Sequence, residues 1–97
     1  MSDAGDIHLA DLNEERRRRV LVLSSRRFAQ LSHRVLIAPE VFGAPDEVPF
    51  PWRIEVDGAV FAVDLLRSLS ADRLLEQTGR APAEAVRRAR QALHAIT

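Results

Sequence analysis

The sequence predicts a mainly β fold with a C-terminal helix, and three observations carry that prediction. Short apolar runs recur between turn residues, and an Asp57-Gly58 pair separates two alternating segments. After Pro82 the apolar spacing changes from the two-residue period of a strand to the helical one. Together these features predict a small, strongly curved sheet or partial barrel with the helix packed on it.

The elements follow in chain order. Residues 7–12, "IHLADL", place Ile7 and Leu9 two apart and Leu12 less regularly, as a short first strand would. "RVLVLSS" (19–25) is a compact apolar run bounded by charge and reads as a strand. "HRVLIAP" (33–39) reads the same way and is expected to stop at Pro39. Residues 40–51 hold three prolines and a glycine and read as a loop. Asp57-Gly58 tolerates the positive φ values of a type I′ turn, so 52–56 and 59–64 are expected to form a hairpin. Ser70 offers a cap for a short turn at 69–74, and "LLEQTGRA" offers a last strand. From Pro82 to Ile96, Val86, Ala89, Leu93 and Ile96 share one face, while Arg87, Arg88, Arg90 and Gln91 lie mostly away from it. Pro82 suits the first helical turn, although Ala81 is a poor cap.

Ninety-seven residues fit one domain spanning 1–97, and 46% hydrophobic residues are enough for its core. No run approaches the roughly 18 apolar residues of a membrane span. "MSDAGDIHLADL" lacks the pattern of a signal peptide, so a cytoplasmic location without membrane contact is expected. The absence of cysteine excludes disulfides and Cys-based metal sites. His8, His33 and His94 are scattered without carboxylates at metal-motif spacing, so neither a metal nor a cofactor is expected.

Net charge is zero, yet all fourteen basic residues are arginine. Seven of them, and no acid, fall within residues 16–34, whereas residues 40–57 hold five acids against Arg53 alone. Arginine keeps its charge at any relevant pH and presents a planar fork suited to phosphate or carboxylate. Arg16, Arg17 and Arg18 lie at the start of one strand. With Arg26, Arg27 and Arg34 they define a candidate rim for RNA or for an acidic peptide. Ser24 and Ser25 read as strand-end hydrogen-bonding groups. Trp52 reads as core or interface, with base stacking as its alternative role.

The order of these segments is similar to that of a known family. "GDIHLADL", "RRVLVLSS", "VLIAPEV", "VPFPWRIEV-DGAVFAVDLLRSL", "DRLLEQTGRA" and "PAEAVRRARQALHAI" resemble the MazF/PemK toxin endoribonucleases over nearly the whole chain. The resemblance implies a small SH3-like β-barrel plus a terminal α-helix. It also implies a homodimer that cuts single-stranded RNA at short sequences without a metal, and an antitoxin that lays an acidic segment across the dimer groove. Phe42, Phe50 and Trp52 flank the 40–51 loop as apolar candidates for the dimer contact. Arg18 matches the family's active-site arginine, which aids proton transfer and stabilises charge on the scissile phosphate as the 2′-hydroxyl attacks. Arg19 replaces the usual proline after it.

The family's active-site hydroxyl, two positions after a proline, falls on Val41, beside Glu40, a carboxylate that offers a base. Asp64, Arg67 and Ser68 match a further stretch in which Leu65 replaces glutamine, and the "NEERRR" loop is shorter than in many members. Because Val41 supplies no hydroxyl, the alternative is a weakened relative that binds RNA or antitoxin without cutting. A gyrase inhibitor of the CcdB type, on the same barrel, would carry a Trp-Gly-Ile terminus, whereas this chain ends "HAIT".

Overall fold

The computed structural model describes residues 2–42 and 51–97. Among these residues seven strands and two helices follow in the order β1 (Asp6–Ala10), β2 (Arg18–Val22), α1 (Arg26–Ser32), β3 (Arg34–Val41), β4 (Arg53–Val56), β5 (Ala59–Ala62), β6 (Arg67–Ser70), β7 (Leu74–Arg80) and α2 (Ala83–Ile96). All strand pairs are antiparallel, in the order β4-β5-β3-β2-β1-β7, with β6 pairing β3 as a branch. The mainly β architecture with a closing helix is therefore as the sequence predicts.

Strand β3 is the hinge of this sheet. It pairs β6 from Arg34 to Ile37 and then passes to β5 at Glu40 and Val41, while β2 lies along its other edge. This explains why Pro39 does not end the strand as expected. Leu36 faces β2, accepting from the Leu23 N–H at 2.8 Å, so by strand alternation the nitrogen of Pro39 points to the opposite edge. That nitrogen falls in the handover between β6 and β5, where no ladder bond is required of it.

The 57–58 turn is as predicted: Asp57 and Gly58 have φ of 50° and 85°, the signs a type I′ turn requires. The hairpin ladder runs from Arg53–Ala62 to Val56–Ala59. Residue Val63 still donates to the Trp52 carbonyl at 2.8 Å, but Val63–Leu65 then coil into a 3₁₀ turn, so the second strand is shorter than 59–64. A second 3₁₀ turn, Ala71–Arg73, follows Ser70 as expected, yet the Ser70 side chain makes no cap bond. Ser70 is held extended by its pairing with Arg34. Of the 40–51 loop, Glu40 and Val41 belong to β3, and residues 43–50, Phe50 included, lie outside the described residues.

Two apolar clusters lie on the two sides of the sheet. One joins Ile7, Leu21, Ala38, Ile54, Phe61 and Val63 to Ala85, Ala89 and Ala92 of α2. The helix thus turns an alanine stripe to the sheet, with Val86 and Leu93 packed at its margin and Ile96 39% exposed. The stripe is rotated from the Val86–Ile96 face expected. Small side chains let the helix sit close, and closeness is also enforced at Gly5. Its φ is 97°, and a Cβ there would meet the Val86 Cγ2 atom at 2.7 Å. Pro82 is the N-cap residue, one position ahead of the first turn.

The second cluster contains Ala10, Leu12, Val20, Val22, Val35, Ile37 and Leu69, closed by Ala29 of α1. This helix departs from the expected strands-then-one-helix order, and it shortens the 19–25 strand to Arg18–Val22. Ser25 starts it by accepting from the Phe28 N–H at 3.2 Å, and His33, at φ 58°, ends it by donating its N–H to the Ala29 carbonyl. Ser24 keeps the strand-end role expected of it, accepting from the Leu36 N–H at 3.0 Å.

Candidate functional site

The connection from β1 to β2 builds a cleft. The Asp11 carboxylate accepts from the Asn13 N–H at 2.9 Å, and Asn13 adopts φ 63°, so the chain reverses immediately before Glu14. The returning segment lines an open cleft of about 590 Å³ with Glu14, Glu15, Arg16, Arg17 and Arg18, and Phe42 at the end of β3 completes it. Three guanidiniums against two carboxylates make the cleft a net attractor for anions.

Within it the Arg18 Nη2 donates to the Glu14 Oε2 at 2.8 Å. The Arg18 side chain is 28% exposed and that of Glu14 40% exposed, so a substrate anion can compete for the guanidinium. Val41, which the resemblance matches to the family's hydroxyl position, ends β3 just before Phe42 of the cleft lining. The β2–β3 register includes Val20 opposite Pro39; continued by two residues, it sets Arg18 across from Val41 on one face of the sheet. At that point Val41 presents only methyl groups.

One residue back, Arg19 and Glu40 face each other on the opposite face. Arg19 Nε and Nη2 donate to Glu40 Oε1 and Oε2 at 3.0 and 2.7 Å, a bidentate fork. Glu40 is buried, at 5% exposure. The hydrogen bond to Glu40 holds the Arg19 pKa above the usual arginine value despite the opposing effect of burial. Both carboxylate oxygens of Glu40 are thus occupied, and Glu40 stands in the wall behind the cleft instead of lining it. Its geometry is that of a strand-to-strand lock.

Arg26 and Arg27 lie elsewhere, in the first turn of α1, where the Arg26 N–H donates to the Asp3 carboxylate at 3.0 Å. They do not join the cleft lining. Arg34 donates to the Ser68 hydroxyl at 2.7 Å on the β3–β6 ladder. Trp52 is half-buried and packs against the cluster under α2, as its core reading expects. Asp64 takes a bidentate contact from Arg53 at 3.0 and 3.1 Å. Among the described residues no three His, Cys, Asp or Glu side chains gather as a candidate metal site. Also among them, no helix is long and apolar enough to cross a membrane.

The sequence reading passed over Glu14. Its sequence carried no usable signal: Glu14 and Arg18 stand four apart with the acid first, but that spacing pairs side chains on a helix, and residues 11–17 are irregular.

The structure defines a small antiparallel β protein with a basic cleft at the entry to its second strand. The family described as PemK-like, MazF-like toxin of type II toxin-antitoxin system matches residues 3–97. The chain belongs to that family. Among solved structures it is similar to a chain of a MazE-MazF crystal structure from Deinococcus radiodurans, at 28% identity and TM-score 0.76, covering 98% of this chain and 94% of that one. It is likewise similar to an endoribonuclease in complex with its cognate antitoxin from a mycobacterial species, at 14% identity and TM-score 0.81, covering 98% and 93%. The Mycobacterium tuberculosis toxin MazF-mt6 shares 21% identity at TM-score 0.77, with 93% of each chain covered. A comparison with curated proteins finds no match.

Proposed function

We propose that this toxin is an endoribonuclease for single-stranded RNA, with Arg18 and Glu14 as its reacting pair. The observation that carries this reading is the 2.8 Å contact between the two side chains in an open, arginine-lined cleft. A phosphate entering the cleft takes the Arg18 guanidinium and releases the Glu14 carboxylate from it. Glu14, an acceptor when ionised, then receives the proton of the 2′-hydroxyl next to the scissile phosphate. The 2′-oxygen bonds to phosphorus and the bond from phosphorus to O5′ breaks. The departing O5′ takes a proton from the solvent that the open cleft admits. Arg18 stabilises the charge gathered on the phosphoryl oxygens during this exchange. The products are a 2′,3′-cyclic phosphate and a 5′-hydroxyl.

Arg16 and Arg17 hold flanking phosphates, so binding should weaken steeply with salt. The same charges suit the acidic segment of an antitoxin. A homodimer accords with β4 and β7 standing at the two ends of the strand order among the described residues.

Replacing Glu14 with glutamine tests the pair. The prediction is a fall in kcat of roughly 10²-fold with RNA affinity retained, measured by single-turnover cleavage and by binding to a 2′-O-methyl RNA. Unaltered kcat would remove Glu14 from the mechanism.

Val41 favours a second reading, a family member that binds RNA or antitoxin without cutting. Introducing the missing hydroxyl by Val41→Thr separates the two. With Arg18 and Glu14 competent, an added donor beside Arg18 raises an existing cleavage rate by about tenfold. Cleavage that begins only in the Val41→Thr protein would establish the binding-only reading for the native chain.

A further inference from the structure

One large apolar side chain in the cleft takes no part in the chemistry above. Phe42, the residue after β3, is 70% exposed and lines the cleft together with Arg16, Arg17 and Arg18. The other exposed large apolar side chains among the described residues, Phe28, Leu31, Leu65 and Ile96, do not line it. A single exposed phenyl ring is ordinary on a protein surface; what sets Phe42 apart is that it stands in a cleft lined by three guanidiniums.

Its neighbours narrow what would occupy that cleft. The guanidiniums require negative charge at close intervals, and the ring requires a flat apolar face. Single-stranded RNA supplies both in alternation, since every nucleotide carries a phosphate and an unpaired base. A duplex does not, because its bases are already stacked on both faces. Phe42 directly follows β3 and lines the same cleft as Arg18, so the ring lies beside the place where the reacting phosphate would be held. The charges of an acidic peptide match the arginines equally well but bring no π-face to the ring.

We propose that Phe42 is a stacking platform for an unpaired RNA base next to the phosphate bound at Arg18. This rests on the RNA-cleaving reading of the cleft and adds to it a source of preference for single strands. Stacking tolerates any base, so Phe42 contributes affinity and selects unpaired over paired RNA.

The test uses two labelled probes of about 12 nucleotides with every ribose 2′-O-methylated, so that neither is cut: one of mixed sequence, and one abasic along its whole length. They carry equal charge and differ only in bases. The wild-type chain should bind the mixed-sequence probe more tightly, and Phe42→Ala should reduce that binding roughly 5- to 150-fold while leaving the abasic probe unchanged. Phe42→Trp should restore it. Equal binding of the mixed-sequence probe by wild type and Phe42→Ala overturns the proposal, and cleavage by that variant at the wild-type rate would leave the RNA reading standing. Equal losses on both probes overturn it as well. Failure of the wild type to bind or cut any RNA defeats both the proposal and the reading beneath it.

Discussion

Arg18→Ala is expected to lower RNA cleavage by about 10³-fold, chiefly in kcat. The size follows from what the side chain does at the transition state, where negative charge builds on the phosphoryl oxygens and a preorganised cation beside them gains most. Its folded-state contact is a poor source of stability by contrast. The Arg18–Glu14 pair is exposed on both sides, and such pairs contribute about 0–1 kcal/mol. The variant should therefore unfold within about 1 kcal/mol of the native chain while its activity falls. Arg18→Lys should recover only part of the loss, since a single ammonium cannot reproduce the two-point fork on phosphate. Single-turnover cleavage and urea unfolding on the same preparations check both statements. A parallel loss of fold and activity would contradict them.

The neighbouring arginine should behave in the opposite way. Arg19→Ala strips the buried Glu40 carboxylate of both its donors, and an unpaired buried charge is costly. The Arg19 side chain is 46% exposed, so solvent reaches part of the pair and the full cost of a buried ion pair does not apply. About 2–3 kcal/mol is expected, equivalent to a fall in Tm on the order of 10–20 °C for a domain of this size. The mirror variant, Glu40→Gln, should cost only about 1 kcal/mol, because the half-exposed arginine can turn to water. Denaturant unfolding followed by Trp52 fluorescence reads both. Equal effects from the two variants would show that the pair is not the strand-to-strand lock its geometry describes.

These two arginines, adjacent in sequence, also show what could be read before any coordinates. The Asp57-Gly58 hairpin was legible because a type I′ turn depends on two local φ values. The change of period after Pro82 was legible because fourteen helical residues give it room. Helix α1 was not. Its seven residues bury only Ala29, too little for a period to emerge, and its N-cap, Ser25, also suits a strand end. Pro39 misled for a different reason: whether a strand tolerates proline depends on which neighbour borders that edge, and the β6-to-β5 handover is a property of the whole sheet.

For the site, register singled out Arg18, since it opens the strand that resembles the family's. Glu40 offered a carboxylate at the right distance along the chain, yet strand alternation turns it away from the cleft and toward Arg19. The loop acid Glu14 comes close only because the Asn13 reversal folds it back, a consequence of one left-handed residue.

The most direct measurement is the chemistry of the cut ends. Single-stranded RNA incubated with the purified protein in EDTA should yield fragments ending in a 2′,3′-cyclic phosphate, each followed by a fragment starting with a 5′-hydroxyl, as read by mass spectrometry. The Arg18→Ala protein should yield almost none. Fragments bearing a 3′-hydroxyl and a 5′-phosphate, or equal cleavage by the two proteins, would contradict an Arg18-centred attack by the 2′-hydroxyl.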